Sequence, residues 1–213
     1  MRKVAIIYTL GLIAVLAFVA LVGCEQEPAP APPEPAPLAP TPAPAPVPTP
    51  EPEPQPLPPP APETLTYINS EYGFSVEYPK DWIFEEGLMG VIVVLAGPFL
   101  EEEQFMININ ITSEDLPNFP KMSLEDYSRV SEMQLKKVAE NYQEVDKYDT
   151  AIADCPAIVC TFTSDYEGTA MMQTQIYFLK GNVAYVITYS ATPQSHGQYY
   201  ECFEGVVSSF KFE

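Results

Sequence analysis

Apolar and polar residues alternate clearly in the segment FMININI, where the odd-numbered positions of residues 105–111 are apolar and Asn108 and Asn110 are polar. A two-residue period is typical of a β-strand with one buried and one solvent-facing side. Two further segments, VIVVLAG (residues 91–97) and VAYVITYS (residues 183–190), are apolar at nearly every position. Such runs are typical of central strands that are covered on both faces.

Two turn signals predict which strands are neighbours. The dipeptide Gly181-Asn182 separates two strand-like segments and is a signal for a two-residue β-hairpin. The segment SDYEG (residues 164–168) separates AIVCTFT from MMQTQIYFL in the same way. We therefore expect mostly antiparallel strands.

A helical period appears in two places. The first predicted helix, SLEDYSRVSEMQLKKVAENY (residues 123–142), starts with Ser123 as N-cap and has acidic residues in its first turn. The second is predicted to start at Thr192-Pro193, an N-cap followed by proline. Two amphipathic helices and a sheet with two apolar faces predict an α+β fold, in which an antiparallel β-sheet is flanked by helices on both faces as a three-layer α/β/α sandwich.

Composition divides the chain into a tail and a domain. Of the 25 prolines, 19 lie between Pro28 and Pro62. Proline at every second position removes backbone donors and fixes φ, so neither a helix nor a sheet can form there. We predict a disordered proline-rich tether over residues 24–63, extended on the order of 100 Å if it adopts polyproline II geometry. Residues 64–213 are enough for one domain.

The N-terminus combines a basic start, Arg2-Lys3, with an uncharged stretch over residues 4–22. This is typical of an export signal, and an uncleaved membrane helix is the alternative. The sequence Leu21-Val22-Gly23-Cys24 resembles the bacterial lipobox. That resemblance implies a lipoprotein signal peptide over residues 1–23 and lipid attachment, with palmitate among the acyl chains, at Cys24. Both interpretations place the rest of the chain at the cell membrane, facing outside the cytoplasm.

Acidic residues dominate the domain. From residue 63 onward there are 24 acidic and 8 basic residues, which leaves sixteen of the chain's nineteen net negative charges. Such a surface repels phosphate backbones, so we expect no nucleic-acid partner. It suits a cationic partner or divalent cations, and ordinary solubility is the alternative explanation.

The sequence contains few residues suited to catalysis. The single histidine, His196, is predicted to face solvent, and neither a zinc site nor a hydrolase triad can be assembled around it. We predict no enzyme activity, no catalytic residues and no metal ligands. Acidic clusters at Glu101–Glu103, Glu114-Asp115 and Glu85-Glu86 could offer oxygens to calcium, but they lack the spacing of an EF-hand loop. No cofactor is expected, with calcium as the alternative.

Three cysteines follow Cys24, namely Cys155, Cys160 and Cys202. On one strand, Cys155 and Cys160 would lie about 16 Å apart and on opposite faces. A disulfide needs α-carbons within about 7 Å, so these two should not pair. A disulfide, if one forms, would use Cys202, with Cys160 as the expected partner. Three reduced thiols are the alternative.

Two long segments and the helix start carry a family resemblance. The opening YINSEYGFSVEYPKDW (residues 67–82), the central SLEDY and the closing AYVITYSATPQSHGQYYECFEGVVSSFKF (residues 184–212) together resemble PsbP-like domains over residues 64–213. The resemblance implies an antiparallel sheet with helices on both sides. In plant members it also implies an extrinsic role at photosystem II, in calcium and chloride retention. Within the opening segment, Gly73 should permit a tight turn and Trp82 should pack over the core.

These observations predict a membrane-anchored extracytoplasmic lipoprotein whose PsbP-like domain is a non-enzymatic binding or assembly module. Its expected partners are the membrane, through the lipid anchor, and an envelope protein. Of the 13 tyrosines all but Tyr8 lie in the domain, and a tyrosine-rich acidic patch is the expected docking surface. The alternatives are a divalent-cation (calcium) or small-ligand binding lipoprotein and, less favoured, a photosystem II extrinsic-subunit role. A hydrolase or redox enzyme, resting only on His196 and the three cysteines after Cys24, is the third hypothesis.

Overall fold

The computed structural model describes residues 63–116, 122–166 and 168–213. The predicted signal peptide, the lipid attachment at Cys24 and nearly all of the predicted proline-rich tether lie outside the described residues. Neither described helix has the length and apolar character needed to cross a membrane.

Ten strands in the described residues form two antiparallel sheets. The smaller sheet has the order β1-β2-β10 and consists of β1 (Thr64–Asn69), β2 (Phe74–Pro79) and β10 (Lys211–Phe212). The larger sheet consists of β3 (Ile83–Glu86), β4 (Val93–Leu100), β5 (Phe105–Asp115), β6 (Glu140–Ile152), β7 (Cys155–Tyr166), β8 (Thr169–Lys180) and β9 (Val183–Ala191). Its seven strands follow the order β3-β4-β5-β9-β8-β7-β6. The helices are α1 (Leu124–Val138), α2 (His196–Ser209) and a short 3-10 turn, Leu88–Gly90.

The predicted turns are confirmed. Lys180 pairs with Val183 across Gly181-Asn182, which makes a two-residue hairpin between β8 and β9. Tyr166 pairs with Thr169 at the end of the β7–β8 hairpin. Gly73 has a φ of 62°, a left-handed conformation that a glycine adopts without steric cost, and it lies directly before β2.

The start of α1 is predicted correctly and its end is not. The Oγ atom of Ser123 accepts a hydrogen bond from the backbone N–H of Asp126 at 3.0 Å, as expected of an N-cap. The helix stops at Val138, because Ala139 is extended and Asn141 has a φ of 53°, and the chain enters β6. The stripe of apolar residues had suggested a helix up to residue 142.

The start of α2 also differs from the prediction. The helix begins at His196 with Ser195 as N-cap, three residues after the predicted cap. Thr192 instead accepts a backbone hydrogen bond from His196 N–H at 2.9 Å and donates its hydroxyl to a carboxylate oxygen of Glu103. Its side chain therefore ties the preceding turn to the β4–β5 connection.

Helix α2 and the smaller sheet pack on the same face of the larger sheet. Their apolar side chains join one core cluster with those of the large sheet. Prominent members are Tyr67, Phe74, Val76, Ile107, Ile109, Ile187, Tyr189, Phe203 and Val206. On the opposite face, α1 packs on β6, β7 and β8 and contributes Tyr127 and Leu135 to a second cluster.

The prediction of a three-layer α/β/α sandwich with helices flanking both faces is wrong. The described residues are mostly β structure, with two antiparallel sheets and two α-helices. The physical reason lies in the apolar inner side of the β1–β2 hairpin. Tyr67, Phe74 and Val76 become almost fully buried against the large sheet, so a second sheet occupies a face where a helical layer was expected.

Candidate binding surface

His196 is buried, with 7% of its surface exposed, and the prediction that it faces solvent is wrong. Its Nε2 atom lies 3.1 Å from Thr174 Oγ1, which in turn lies 2.9 Å from Thr161 Oγ1. The hydroxyl of Tyr189 donates to the backbone carbonyl of His196 at 2.8 Å. The turn before α2 folds the first helical residue inward, so its ring hydrogen-bonds to the sheet.

The His196 ring lies in a buried, aromatic environment. Burial lowers the pKa of His196 from its ordinary value of 6.5. The ring centroid lies 4.8 Å from that of Tyr189 and 5.5 Å from that of Tyr200. The imidazole, which contacts both tyrosine rings and lies within hydrogen-bond distance of Thr174, fastens α2 to the sheet.

Buried amide and hydroxyl side chains form two rows across β5, β9 and β8. In each row one residue from each strand stands opposite its neighbour: Asn108, Ser190 and Gln173 in the first, and Asn110, Thr188 and Gln175 in the second. Gln173 Nε2 donates to Ser190 Oγ at 2.9 Å and Gln175 Nε2 donates to Thr188 Oγ1 at 3.3 Å.

These rows correct the sequence-based expectation for β5. Asn108 and Asn110 were expected on a solvent-facing side, but they are 6% and 5% exposed. The missed signal is the matching polar alternation in β8 and β9, which places partners beside the asparagines once the strands align.

Two tyrosine contacts lie on the face of the large sheet that α1 covers. Tyr127 donates to Glu114 Oε2 at 3.1 Å, and Tyr142 Oη lies 3.9 Å from Cys160 Sγ. Burial, followed by the nearby Glu114 carboxylate, raises the pKa of Tyr127 well above its usual range. Burial likewise raises the pKa of Glu114. The Tyr127 hydroxyl therefore serves as a hydrogen-bond donor to Glu114.

The structure does not bring Cys160 and Cys202 together. Cys160 belongs to the cluster under α1, whereas Cys202 lies on α2 and packs against the other core cluster. Cys155 is buried at the start of β7, on the same strand as Cys160, with its Sγ 3.6 Å from the Ala153 carbonyl oxygen. The three cysteines in the described residues are free thiols.

The acidic clusters singled out in the sequence lie apart in the fold. Glu101–Glu103 form the β4–β5 turn, Glu85-Glu86 belong to β3, and Glu114-Asp115 end β5. One member of each cluster accepts a hydroxyl hydrogen bond, as Glu86 does from Tyr67 at 2.6 Å. Within the described ranges, no three His, Cys, Asp or Glu side chains are grouped so as to hold a metal ion.

Strand β6 is the exposed outer edge of the large sheet. In the described part of the chain it has one hydrogen-bonded neighbour, β7. All of its thirteen residues are exposed except Tyr142 and Ile152. The register with β7 is irregular between Glu140 and Asp146, then continuous over the seven residues Asp146–Ile152.

The side chains of β6 are acidic with exposed apolar positions between them. The strand carries four carboxylates, on Glu140, Glu144, Asp146 and Asp149. Its one lysine, Lys147, is ion-paired with Glu132 of α1 at 2.9 Å.

The apolar positions of β6 lie among these charges. Val145 and Tyr148 are 54% and 45% exposed, and Tyr148 shares a hydrogen bond with Tyr200 of α2. Sequence reasoning missed this surface because it assigned the first residues of β6 to α1. Tyr148, Thr150 and Ile152, strand-favouring residues spaced two apart, were the available sign.

Comparison with known proteins identifies the family. The sequence profile of a family described as PsbP-like protein matches residues 59–212. No curated protein sequence matches the chain.

Several solved structures share the fold. Cyanobacterial PsbP (CyanoP) from Synechocystis sp. PCC 6803 is 12% identical with a TM-score of 0.53, over 70% of this chain and 92% of that one. LpqN of Mycobacterium tuberculosis, described as involved in cell envelope biogenesis, is 10% identical with a TM-score of 0.51, over 70% and 90%. The Ran-binding protein Mog1p of Saccharomyces cerevisiae is 8% identical with a TM-score of 0.50, over 71% and 96%. Identities this low show a common fold alone.

Proposed function

The chain belongs to the PsbP-like family, and from that premise we propose that it is a membrane-anchored extracytoplasmic lipoprotein whose domain is a non-enzymatic binding or assembly module. Cys24 carries the lipid, and the proline-rich tether lets the domain reach an envelope protein. LpqN is described as involved in cell envelope biogenesis and Mog1p as a Ran-binding protein, so the shared fold does not identify a partner. The choice therefore depends on the surface of this domain.

The exposed edge strand β6 is the observation that carries this proposal. A long free edge offers unpaired backbone groups to another chain, and proteins usually shorten, cover or twist such edges. Here the regular part spans seven residues and includes an exposed tyrosine. Tyrosine is favoured at protein interfaces because it combines an apolar ring with a polar tip.

The interior supports a binding role over a catalytic one. The polar groups best suited to chemistry, His196 and its threonine partners, are buried and hydrogen-bonded to one another. A general base must reach the proton that it removes from a substrate. His196 is instead buried in contact with Tyr189 and Tyr200.

Site-specific photo-cross-linking in native membranes tests the docking surface. A benzophenone amino acid replaces Tyr148 on β6 and, as the matched control, Tyr72, an exposed tyrosine in the β1–β2 turn. We expect a discrete adduct from position 148 that mass spectrometry identifies as an envelope protein, and no such adduct from position 72. Equal adducts from both positions, or none from 148, would argue against β6 as the docking surface.

Metabolic labelling with an alkyne fatty acid tests the anchor. We expect the label on the full chain and its loss in the Cys24→Ser variant, because a hydroxyl replaces the acylated thiol. A labelled Cys24→Ser chain, or an unlabelled wild type, would contradict lipidation at this cysteine.

A further inference from the structure

We propose that β6 receives an added antiparallel strand from an extended, lysine- or arginine-bearing segment of the partner protein. This inference rests on the proposed function and names the chemistry that the docking surface recognises. Strand addition is an established way for a sheet edge to bind a peptide, with backbone hydrogen bonds giving affinity and alternate side chains giving specificity.

The backbone of β6 has room for the added strand in one defined place. In an antiparallel sheet the outer N–H and C=O groups of an edge strand belong to alternate residues. The shifts in register before Asp146 bend and twist that half of β6, which disrupts regular pairing there. The continuous run Asp146–Ile152 is therefore the template.

The carboxylates of β6 favour a positively charged partner segment. Side chains alternate between the two faces of a strand, so Asp146 lies on one face of β6 and Asp149 on the other. Lys147 contributes little positive charge to an incoming chain because Glu132 already pairs with it. Each face of an added strand would meet a carboxylate, and opposite charges across neighbouring strands stabilise pairing.

The same charges disfavour a second copy of this chain at β6. Pairing β6 with β6 would bring two strands together that each carry four carboxylates and one lysine. Like charges directly opposite each other destabilise a sheet. The opposite edge of the large sheet, β3, has only four residues and a shorter template. The acidic charge of β6 therefore disfavours pairing with a second copy of β6 and favours pairing with a basic strand.

The exposed ring of Tyr148 adds an apolar contact. Its side chain lies on the same face as Asp146, two residues away, and its hydroxyl is held by Tyr200. A ring fixed in this way offers a flat surface to the aliphatic part of a lysine or arginine, and its face also attracts the cation. The expected segment therefore carries basic residues on both of its faces, with β-branched residues between them.

Binding of synthetic peptides to the full-length lipoprotein in detergent tests the inference. The probe is a fluorescent peptide of Lys-Lys-Val-Val repeats, which places lysines on both faces of a strand, compared with its glutamate counterpart and with the same lysine peptide N-methylated at every residue. We expect the lysine peptide to bind and to protect alternate amides of Asp146–Ile152 from hydrogen exchange. The N-methylated peptide should bind at least about tenfold more weakly, because it cannot complete the backbone ladder.

Matched charge variants locate the site. The variant Asp146→Asn/Asp149→Asn should weaken binding of the lysine peptide on the order of tenfold. The control Glu71→Gln/Glu102→Gln removes the same charge from two exposed turn residues and should leave the affinity unchanged. Equal weakening in both variants, or equal binding of the N-methylated peptide, would show nonspecific attraction and overturn strand addition.

Two outcomes separate this inference from the proposed function. A position-148 cross-link to an envelope protein, without lysine-peptide binding, keeps β6 as the docking surface and rejects a basic added strand. Peptide binding with protection of Asp146–Ile152, but without any cross-link in membranes, supports the edge chemistry and rejects the proposed role in the envelope.

Discussion

The indole of Trp82 lies directly against the backbone of Gly97, so a Cβ atom at position 97 would come within 2.7 Å of Trp82 Cε2 and Cζ2. Trp82 is 4% exposed and belongs to the main core cluster. The sequence predicted that Trp82 packs over the core, and this is confirmed. The structure adds that a residue without a side chain on β4 is required for it to do so.

Replacing Gly97 with alanine should therefore destabilise the domain. The ring must move away from a well-packed position, at a cost of about 1–3 kcal/mol in the free energy of unfolding. Urea titration followed by tryptophan fluorescence measures it, since Trp82 is the single tryptophan. The control Gly205→Ala lies in α2 with open space around it and should stabilise by about 0.5–1 kcal/mol. A Gly97→Ala domain as stable as the wild type would contradict the close packing.

The buried ring of His196 should make stability depend on pH. Burial lowers its pKa in the folded state below the ordinary value of 6.5, so the unfolded chain binds the proton more readily. This contribution to stability is present above the unfolded pKa and is lost as pH falls through it toward the folded pKa. His196→Asn should remove that part of the decline.

Two measurements check the pH dependence of His196. Urea unfolding midpoints of wild type and His196→Asn, compared from about pH 7.5 down to about pH 5, isolate the histidine from the many carboxylates. NMR titration of the chain's one histidine gives its folded pKa directly. A folded pKa at or above 6.5, with parallel curves for the two proteins, would refute the assignment.

Removing the N-cap of α1 should lower the stability of the domain moderately. Ser123→Ala removes the acceptor for the Asp126 N–H and should lower the free energy of unfolding by about 1 kcal/mol. Ser123→Asp keeps an acceptor at the cap and should restore most of the loss, which thermal unfolding can follow. Equal loss in both variants would point to a role for the serine other than capping.

The number of free thiols in the domain can be measured by alkylation and mass spectrometry. Because Cys160 and Cys202 lie in different core clusters, we expect three free thiols per domain after denaturation without reductant. In the native state Cys202 should react first with an alkylating agent, since it is half-buried while the other two are buried. A mass lower by two hydrogen atoms, with a linked Cys160–Cys202 peptide, would establish the disulfide instead.

Short-range signals predicted their structures well. The hairpin at Gly181-Asn182 and the cap at Ser123 each depend on neighbouring residues that adopt the required backbone and hydrogen bond within one turn. The prediction that segments rich in apolar residues form central strands was also correct, because such strands bury both faces where the sheet is covered on both sides.

Features that depend on distant partners could not be predicted in the same way. The apolar spacing from Leu135 to Tyr142 fits a helix, but pairing with β7 draws the chain into β6 after Ala139. Asn108 and Asn110 look like surface residues until Ser190 and Thr188 stand opposite them on β9. The burial of His196 likewise depends on Thr174, which lies 22 residues away in the chain.

The family, the turns, the capped start of α1 and the acidic charge of the domain could be predicted from the amino-acid sequence, because each depends on residue types or on neighbours in the chain. The second sheet that covers one face of the first, and the position of β6 at the edge of the described sheet, became apparent from the three-dimensional structure. Burial and edge position depend on which strands pair, and strand pairing joins residues far apart in sequence.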